Sequence, residues 1–128
     1  MKIVKKEVTH NFGYIKIRPT FNNIFITLTD LNGNVLISKH AGMLEFKGSK
    51  KRTPYVAAQV LKKLIKDVSL SNFEINYYIV QVHGFIKNAV INSTICQLAS
   101  FKLKNIIYLE NYIKHTHNGL REKKKRRL

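Results

Sequence analysis

The 128-residue sequence predicts one α/β domain, a mixed five-stranded sheet with two main helices, followed by an extended basic tail. Hydrophobic residues make up 45% of the chain, which is enough to build a core. Their patterns alternate between strand and helix in the order three strands, helix, strand, helix, strand. Helices that connect later strands act as crossovers, so this order favours a sheet covered by helices. We expect an N-terminal extension at residues 1–11, a domain at residues 12–110 and a tail at residues 111–128.

The first three strands are predicted from β-branched and aromatic residues. Residues 14–18 and 24–29 have this content, and Ile24, Ile26 and Leu28 are expected to line one face. Asn32-Gly33 predicts a type I′ hairpin turn, because that turn needs positive φ at both central residues. Residues 35–39 should therefore return antiparallel to the second strand.

The first helix is predicted from its start signal and its apolar stripe. The apolar period disappears over residues 42–53, which predicts an irregular loop. Thr53 is then expected to be the N-cap and Pro54 the first helical residue, where its missing N–H costs nothing. About four turns should follow. The expected inward residues are Val56, Val60, Leu61 and Leu64, and the expected outward residues are Lys62, Lys63 and Lys66.

The remaining elements are a strand, a helix and a last strand. Residues 73–80 predict a strand that becomes buried on both faces near its end, followed by a break at His83-Gly84. Residues 89–100 predict the second helix, with Cys96 as a core residue, and residues 105–109 predict the last strand. On the strand, Phe73, Ile75, Tyr77 and Ile79 alternate with Glu74, Asn76, Tyr78 and Val80. On the helix, the residues expected inward are Ile91, Ile95 and Leu98.

The charge of the chain predicts a polyanionic partner. Lys and Arg number 23 against 7 Asp and Glu, a formal charge of +16. Residues 121–128 hold six cations and one acid directly after the turn signal His117-Asn118-Gly119. Such a segment has little apolar surface to bury, so its ordering depends on a partner, and nucleic acid is favoured over a membrane. A membrane partner is not expected, because the tail has no amphipathic helix and no apolar run nears about 20 residues.

Another basic cluster precedes the first helix. Lys47, Lys50, Lys51 and Arg52 surround Gly48-Ser49 just before the predicted helix N-terminus, which predicts a phosphate cradle. A solvated loop is the alternative, and the spacing is not that of a nucleotide-binding P-loop. Phe46 is expected either to stack on a base or to anchor the loop to the core.

No catalytic residue, metal or cofactor is predicted, so we expect the protein not to be an enzyme. His115 and His117 form a poor ligand set, and a single cysteine cannot build a disulfide or a thiol-based zinc site. A two-metal nuclease needs convergent carboxylates, and Asp30 already has a role in the hairpin turn. Asp30, Glu45, Asp67, Glu74 and Glu110 are scattered along the sequence.

Short motifs in order along the chain resemble one protein family. They are Phe21-Asn22-Asn23, Thr29-Asp30 with Gly33-Asn34, Ala41-Gly42, Phe46 to Lys51, Thr53-Pro54-Tyr55 and, in the tail, His117-Asn118-Gly119, Arg121 and Lys123 to Arg127. Over residues 12–128 they resemble the small-subunit ribosomal protein family numbered eleven.

The resemblance implies a fold shaped like ribonuclease H without its catalysis. It implies a structural constituent of the small ribosomal subunit that binds ribosomal RNA of the platform, beside other platform proteins and near the mRNA exit channel. The RNA-binding residues that it implies are Asn22, Asn23, Lys47, Gly48, Ser49, Lys50, Lys51, Arg52, Thr53, Asn118, Gly119, Arg121, Lys123, Lys124, Lys125, Arg126 and Arg127. A free-standing RNA chaperone or nucleic-acid-binding protein is the alternative function.

Two departures from the family pattern bear on location. Residues 83–88 read His-Gly-Phe-Ile-Lys-Asn where the family has a Gly- and Pro-rich loop, and Glu122-Lys123 replace two tail prolines. The chain is rich in Ile, Asn, Lys, Phe and Tyr, which have A- and T-rich codons, and its first residues lack the character of a transit peptide. These features predict the small subunit of a mitochondrial ribosome and an organelle-encoded chain.

Overall fold

The computed structural model describes residues 8–71, 73–84, 89–100 and 106–128. Its strands are β1 (Val8–Pro19), β2 (Ile24–Thr29), β3 (Val35–His40), β4 (Phe73–His83) and β5 (Ile106–Tyr112). Its helices are α1 (Pro54–Leu70) and α2 (Ala89–Ser100), and two 3₁₀ turns lie between β3 and α1 at Ala41–Leu44 and Gly48–Arg52. The predicted mixed five-stranded sheet with two main helices is confirmed.

The strand order is β3-β2-β1-β4-β5, antiparallel at β3-β2 and β2-β1 and parallel at β1-β4 and β4-β5. Both helices connect parallel strands and both connections run toward the β5 edge. Right-handed crossovers in the same direction place their helices on the same face of the sheet. In agreement, α1 and α2 pack against each other. One face of the sheet is therefore covered by helices, and we call the opposite one the open face.

The core lies between the sheet and the helices. Alternate strand residues and the apolar helix stripes supply it, as the periods of two and 3.6 require. The predicted inward residues of α1 are buried. The most deeply buried side chains are Ile15, Ile17, Ile24, Ile26, Leu28, Val56, Val60, Leu61, Leu64, Val80, Val82 and Ile91.

β1 is longer than residues 14–18 and begins inside the predicted N-terminal extension. It pairs with β4 from Val8 onward, opposite Phe73. At Gly13 a Cβ atom would come within 3.1 Å of the Ile75 methyl groups, so a larger residue there would need the Ile75 side chain to shift by a few tenths of an ångström. β5 likewise runs on to Tyr112, past the predicted end of the domain, while Asn105 lies outside the described residues.

The β2–β3 hairpin is present, but the predicted type I′ turn is wrong. Gly33 has φ of +88°, whereas Asn32 is not among the described residues with positive φ. The Gly33 N–H donates to the Asp30 carbonyl (3.2 Å), and the Asp30 carboxylate accepts from the Asn34 backbone N–H (2.8 Å) and side-chain amide (3.1 Å). These contacts close a turn that is wider than a two-residue type I′ turn. Among its described residues only the last, Gly33, has positive φ. The expected role of Asp30 in the turn is confirmed.

Two further predictions need correction. Residues 42–53 are not wholly irregular, because the two 3₁₀ turns occupy much of them. On α2, Cys96 is exposed and not a core residue, because it lies about 200° around the helix from the buried Thr94.

Candidate nucleic-acid interface

The first basic cluster, residues 47–53, is built on a 3₁₀ turn. Gly48 has φ of +61°, a conformation that glycine adopts without strain, and Gly48–Arg52 then turns toward α1. Phe46 packs against the hydrophobic core at the base of this segment. Of its two predicted roles, it therefore has the one of anchoring the loop to the core. Lys47, Lys50 and Arg52 are exposed and Lys51 is half-buried. We call residues 47–53 the basic turn.

The basic turn leads directly into the N-terminus of α1. Thr53 is the N-cap residue, as predicted, but its hydroxyl donates to the Lys50 carbonyl (3.0 Å) and makes no side-chain cap to the helix. The Thr53 carbonyl accepts the Ala57 N–H (3.2 Å). The first turn of α1 contains no acidic residue. The N–H groups of a helix N-terminus attract anions, and nearby cations add to that attraction.

The β1–β2 turn, residues 20–23, supplies Asn22 and Asn23. The Asn23 Oδ1 atom accepts hydrogen bonds from the backbone N–H groups of Ile24 (2.8 Å) and Ala41 (3.2 Å). Asn23 therefore ties this turn to the segment that leaves β3. Asn22 is exposed. The two adjacent asparagines thus differ in environment, and the carbonyl oxygen of Asn23 is engaged within the fold.

A cleft of about 210 Å³ joins the β1–β2 turn to the basic turn. Thr20, Phe21 and Asn23 line one side of it, and Arg52 and Val90 line the other. Phe21 is 92% exposed beside this cleft. The fold thereby brings together Asn23 and Arg52, two candidate residues that are far apart in the sequence.

The second basic cluster lies in the tail. Residues 113–128 contain neither helix nor strand, and every one is exposed. Asn118 has φ of +61°, which fits the predicted turn at His117-Asn118-Gly119. The tail leaves the sheet from β5, whereas the basic turn follows β3. These strands are opposite edges of the sheet, so the two basic clusters begin on opposite edges.

No metal centre and no membrane-spanning helix is present in the described part of the chain. Those residues contain no group of three or more His, Cys, Asp or Glu side chains able to hold a metal ion. The Asp30 carboxylate makes hydrogen bonds in the hairpin turn. No helix within the described ranges is long and apolar enough to span a bilayer. The divergent loop of residues 83–88 lies mostly outside the described residues, which resume at Ala89.

Comparison with known proteins identifies the family. The family model described as "Ribosomal protein S11" matches residues 13–127. The chain belongs to the ribosomal protein S11 family. Proteins named "Small ribosomal subunit protein uS11" match nearly the whole chain. The one from Coxiella burnetii (strain RSA 331 / Henzerling II) is 40% identical over 123 residues, covering 96% of this chain and 95% of the relative. The one from Anaplasma phagocytophilum (strain HZ) is 32% identical over 130 residues, covering 100% of both.

Membership in the S11 family confirms the resemblance that the motifs indicated. The matched range runs from within β1 to the penultimate residue of the tail, so it includes both basic clusters. The relatives named above are bacterial.

Three cations on the open face were not among the predicted site residues. Lys16 and Arg18 of β1 and Lys114, just after β5, line a cleft of about 360 Å³ there. His83 lines the same cleft. Burial lowers the pKa of the His83 imidazole, and the charges of Lys114, Lys16 and Arg18 lower that pKa further. The cations of this face could have been predicted from the sequence, because Ile15 and Ile17 alternate with Lys16 and Arg18.

Proposed function

We propose that this chain is a structural constituent of the small ribosomal subunit, where it binds ribosomal RNA of the platform near the mRNA exit channel and performs no catalysis. Membership in the S11 family supports the small-subunit role, and the name of the relatives states it for them. The formal charge of +16 supports RNA as the main partner. Neighbouring platform proteins are the proposed protein partners, with mRNA passing nearby.

The observation that carries the proposal is the exposed basic tail. Residues 121–128 hold six cations in a segment without helix, strand or buried side chains. A segment of this kind gains order from the polyanion it binds, because contacts with phosphates replace the contacts that a core would provide. We infer that residues 118–127 lie along RNA through Asn118, Gly119, Arg121, Lys123, Lys124, Lys125, Arg126 and Arg127.

The basic turn is the second proposed RNA contact. Its exposed cations and the N-terminus of α1 form one positive surface suited to phosphate. The contacting residues that we propose are Asn22, Asn23, Lys47, Gly48, Ser49, Lys50, Lys51, Arg52 and Thr53. Asn23 contributes mainly by holding the turn, through its bonds to Ile24 and Ala41. Because the two basic clusters start from opposite edges of the sheet, they suit two separate RNA segments.

We retain the division into an extension, a domain and a tail as part of the proposal. The sheet pairing of Val8 and of Tyr112 favours boundaries slightly outside residues 12 and 110. The tail then consists of the exposed residues that follow β5.

A quantitative test is incorporation into the subunit. Replacing residues 123–127 with glutamine should lower the amount of this protein in purified small subunits severalfold, measured by mass spectrometry against other subunit proteins. A smaller change, Lys124→Gln with Lys125→Gln, removes two charges from the tail. Its matched control is Lys62→Gln with Lys66→Gln, which removes two charges from the exposed side of α1. Equal incorporation of all variants and the wild type contradicts the role of the tail.

A free-standing RNA chaperone or nucleic-acid-binding protein is the alternative, because an exposed polycation also suits a general polyanion binder. Sedimentation distinguishes the two functions. A ribosomal constituent travels with small subunits at moderate salt, whereas a free factor stays near the top of the gradient. Purified subunits that lack this protein contradict the proposed function.

The mitochondrial ribosome is the proposed location. The richness in residues with A- and T-rich codons and the altered residues 83–88 support it. A bacterial ribosome is the competing location, since the relatives named above are bacterial. Detection of the protein in small subunits from purified mitochondria supports the mitochondrial location, and detection in bacterial subunits contradicts it.

A further inference from the structure

The open face of the sheet carries cations at alternate positions. Lys16 of β1 lies beside Gln81 of β4, and Gln81 lies beside Glu110 of β5, so these three residues form one row across the strands. Arg18 belongs to the same face, because it alternates with the buried Ile17. Lys16, Arg18 and Lys114 line one cleft, although Lys114 follows the far edge strand. The open face therefore concentrates positive charge contributed by two separate parts of the chain.

The charge of this face is not cancelled within the cleft. None of the described residues that line it is a carboxylate. Glu110 lies nearby on the same face, and its carboxylate accepts hydrogen bonds from the Gln81 side-chain amide (3.1 Å) and the Tyr112 hydroxyl (3.0 Å). Glu110 thus orients its neighbours, and the cations remain available to an external anion.

Aromatic rings lie beside the cations. The Arg18 guanidinium carbon is 5.0 Å from the centre of the Phe25 ring. The His83 and Tyr112 rings stack with centroids 5.4 Å apart and planes at 19°. Tyr112 is 46% exposed, so this stacked pair is partly open to solvent. Exposed rings next to Lys and Arg are the chemistry by which proteins hold unpaired bases and the phosphates between them.

The open face is also continuous with the tail. β5 ends at Tyr112, and Lys114 contributes to the clefts on this face before the chain continues as the exposed residues 115–128. A strand of nucleic acid that follows the tail toward the domain therefore arrives at Tyr112 and Lys114. The basic turn, by contrast, follows the opposite edge strand.

We propose that the open face is a third RNA-binding surface, which takes a single-stranded RNA segment with phosphates at Lys16, Arg18 and Lys114 and a base stacked on Tyr112. This inference rests on the proposed function and adds a surface that neither the tail nor the basic turn includes. An acidic protein segment satisfies the cations but has no base to place on the exposed tyrosine, so RNA fits the face better.

The test uses the full chain and a fluorescein-labelled oligouridine of 12 nucleotides, with binding followed by fluorescence anisotropy from low to moderate salt. Arg18→Gln with Lys114→Gln removes two proposed phosphate contacts. We expect the slope of log affinity against log salt to fall by about 1.4, since each contact to single-stranded RNA contributes roughly 0.7. The charge-matched control is Lys62→Gln with Lys66→Gln on α1, for which we expect a much smaller change. Equal changes in the two variants overturn the proposal.

Tyr112 separates stacking from charge. We expect Tyr112→Leu to lower the affinity for the oligouridine about fivefold or more at constant salt. Tyr112→Phe is the control, because it keeps an aromatic ring at the same position. Circular dichroism checks that each variant is folded. If labelled polyglutamate loses affinity on Tyr112→Leu as much as the oligouridine does, the surface is not specific for RNA and the proposal is overturned.

A third variant distinguishes failure of this inference from failure of the proposed function. Replacing residues 123–127 with glutamine tests the tail with the same oligouridine. If that variant loses affinity while the open-face variants do not, the tail binds RNA and the open face does not. If neither loses affinity, both the inference and the RNA-binding role of the tail are overturned.

Discussion

The two faces of the sheet differ in chemistry although the same strands build both. On β1, Ile15 and Ile17 are buried beneath the helices, while the intervening Lys16 and the following Arg18 lie on the open face. Successive side chains of a strand point to opposite faces, so adjacent residues have different environments. The comparison teaches that folding and binding are assigned to alternate positions of one strand. Substitutions on one face can therefore change stability without touching the proposed RNA surface.

The two faces should differ most in how far a charged side chain destabilises the fold, since the destabilisation should be large on the covered face. Ile17→Lys places an ammonium group among buried aliphatic side chains with no partner, and we expect about 4 kcal/mol or more of destabilisation, or no folding. The adjacent Lys16→Gln should change the free energy of unfolding by less than about 0.5 kcal/mol. Urea denaturation of both variants measures this, and similar costs at the two positions contradict the assignment of faces.

The covered face should also be sensitive to lost volume. Leu61 of α1 is fully buried in the core. Leu61→Ala should therefore lower the free energy of unfolding by about 2–5 kcal/mol. The exposed neighbour gives the control, since Lys62→Ala should cost within about 0.5 kcal/mol. The denaturant midpoints of the two variants measure this difference in stability. A Leu61→Ala variant as stable as the control means that α1 does not cover the sheet as described.

The β1–β2 turn allows the same comparison within one candidate site. Asn23→Ala removes the acceptor of the Ile24 and Ala41 N–H groups, which should cost about 1–2 kcal/mol of stability. Asn22→Ala should leave stability within about 0.5 kcal/mol, because Asn22 is exposed. Thermal unfolding measures both. If Asn22→Ala weakens RNA binding at unchanged stability, Asn22 is an RNA contact and the two residues have separate roles.

The smallest expected effect is an ion pair at the margin of the covered face. Lys39 of β3 lies 2.6 Å from the Asp67 carboxylate of α1, and its hydrogen bond lowers the pKa of Asp67 from 3.8. A lowered pKa in the folded state means that the pair stabilises the fold above the unfolded pKa and is lost as pH falls through the folded value. The stability advantage over Asp67→Asn should shrink as pH falls from about 5 to about 2. A constant difference in denaturation midpoint across that range contradicts the pairing.

Most of the architecture could be predicted from the sequence because local patterns decided it. The residue bounds of β2 and α2 agree with their patterns, and α1 starts at Pro54 as its start signal indicates. The buried residues of α1 agree for the same reason, since a helical stripe is fixed by its period. The family motifs and the two basic clusters were likewise visible as residue types in order along the chain.

Two of the errors occur where segments distant in the sequence meet, and one occurs within a turn. Parallel pairing with β4 lengthens β1 past its apolar pattern, and the side chains of Asp30 and Asn34 widen a turn that Asn32-Gly33 alone suggested would be tighter. The position of the helix against the sheet leaves Cys96 exposed, although its neighbours on α2 are apolar. The extension of β1 and the exposure of Cys96 depend on contacts between segments, whereas the turn depends on side-chain contacts between residues four positions apart.

The sequence by itself determined the fold class, the family, the excess of positive charge and the two basic clusters, because these follow from composition, period and motif order. Only the tertiary structure decided which cations share a surface. Lys114 is separated from Lys16 and Arg18 by most of the chain. The three residues line one cleft because β1, β4 and β5 are neighbours in the sheet. The physical reason is that strand pairing is a non-local interaction, so it joins residues whose local sequences carry no sign of one another.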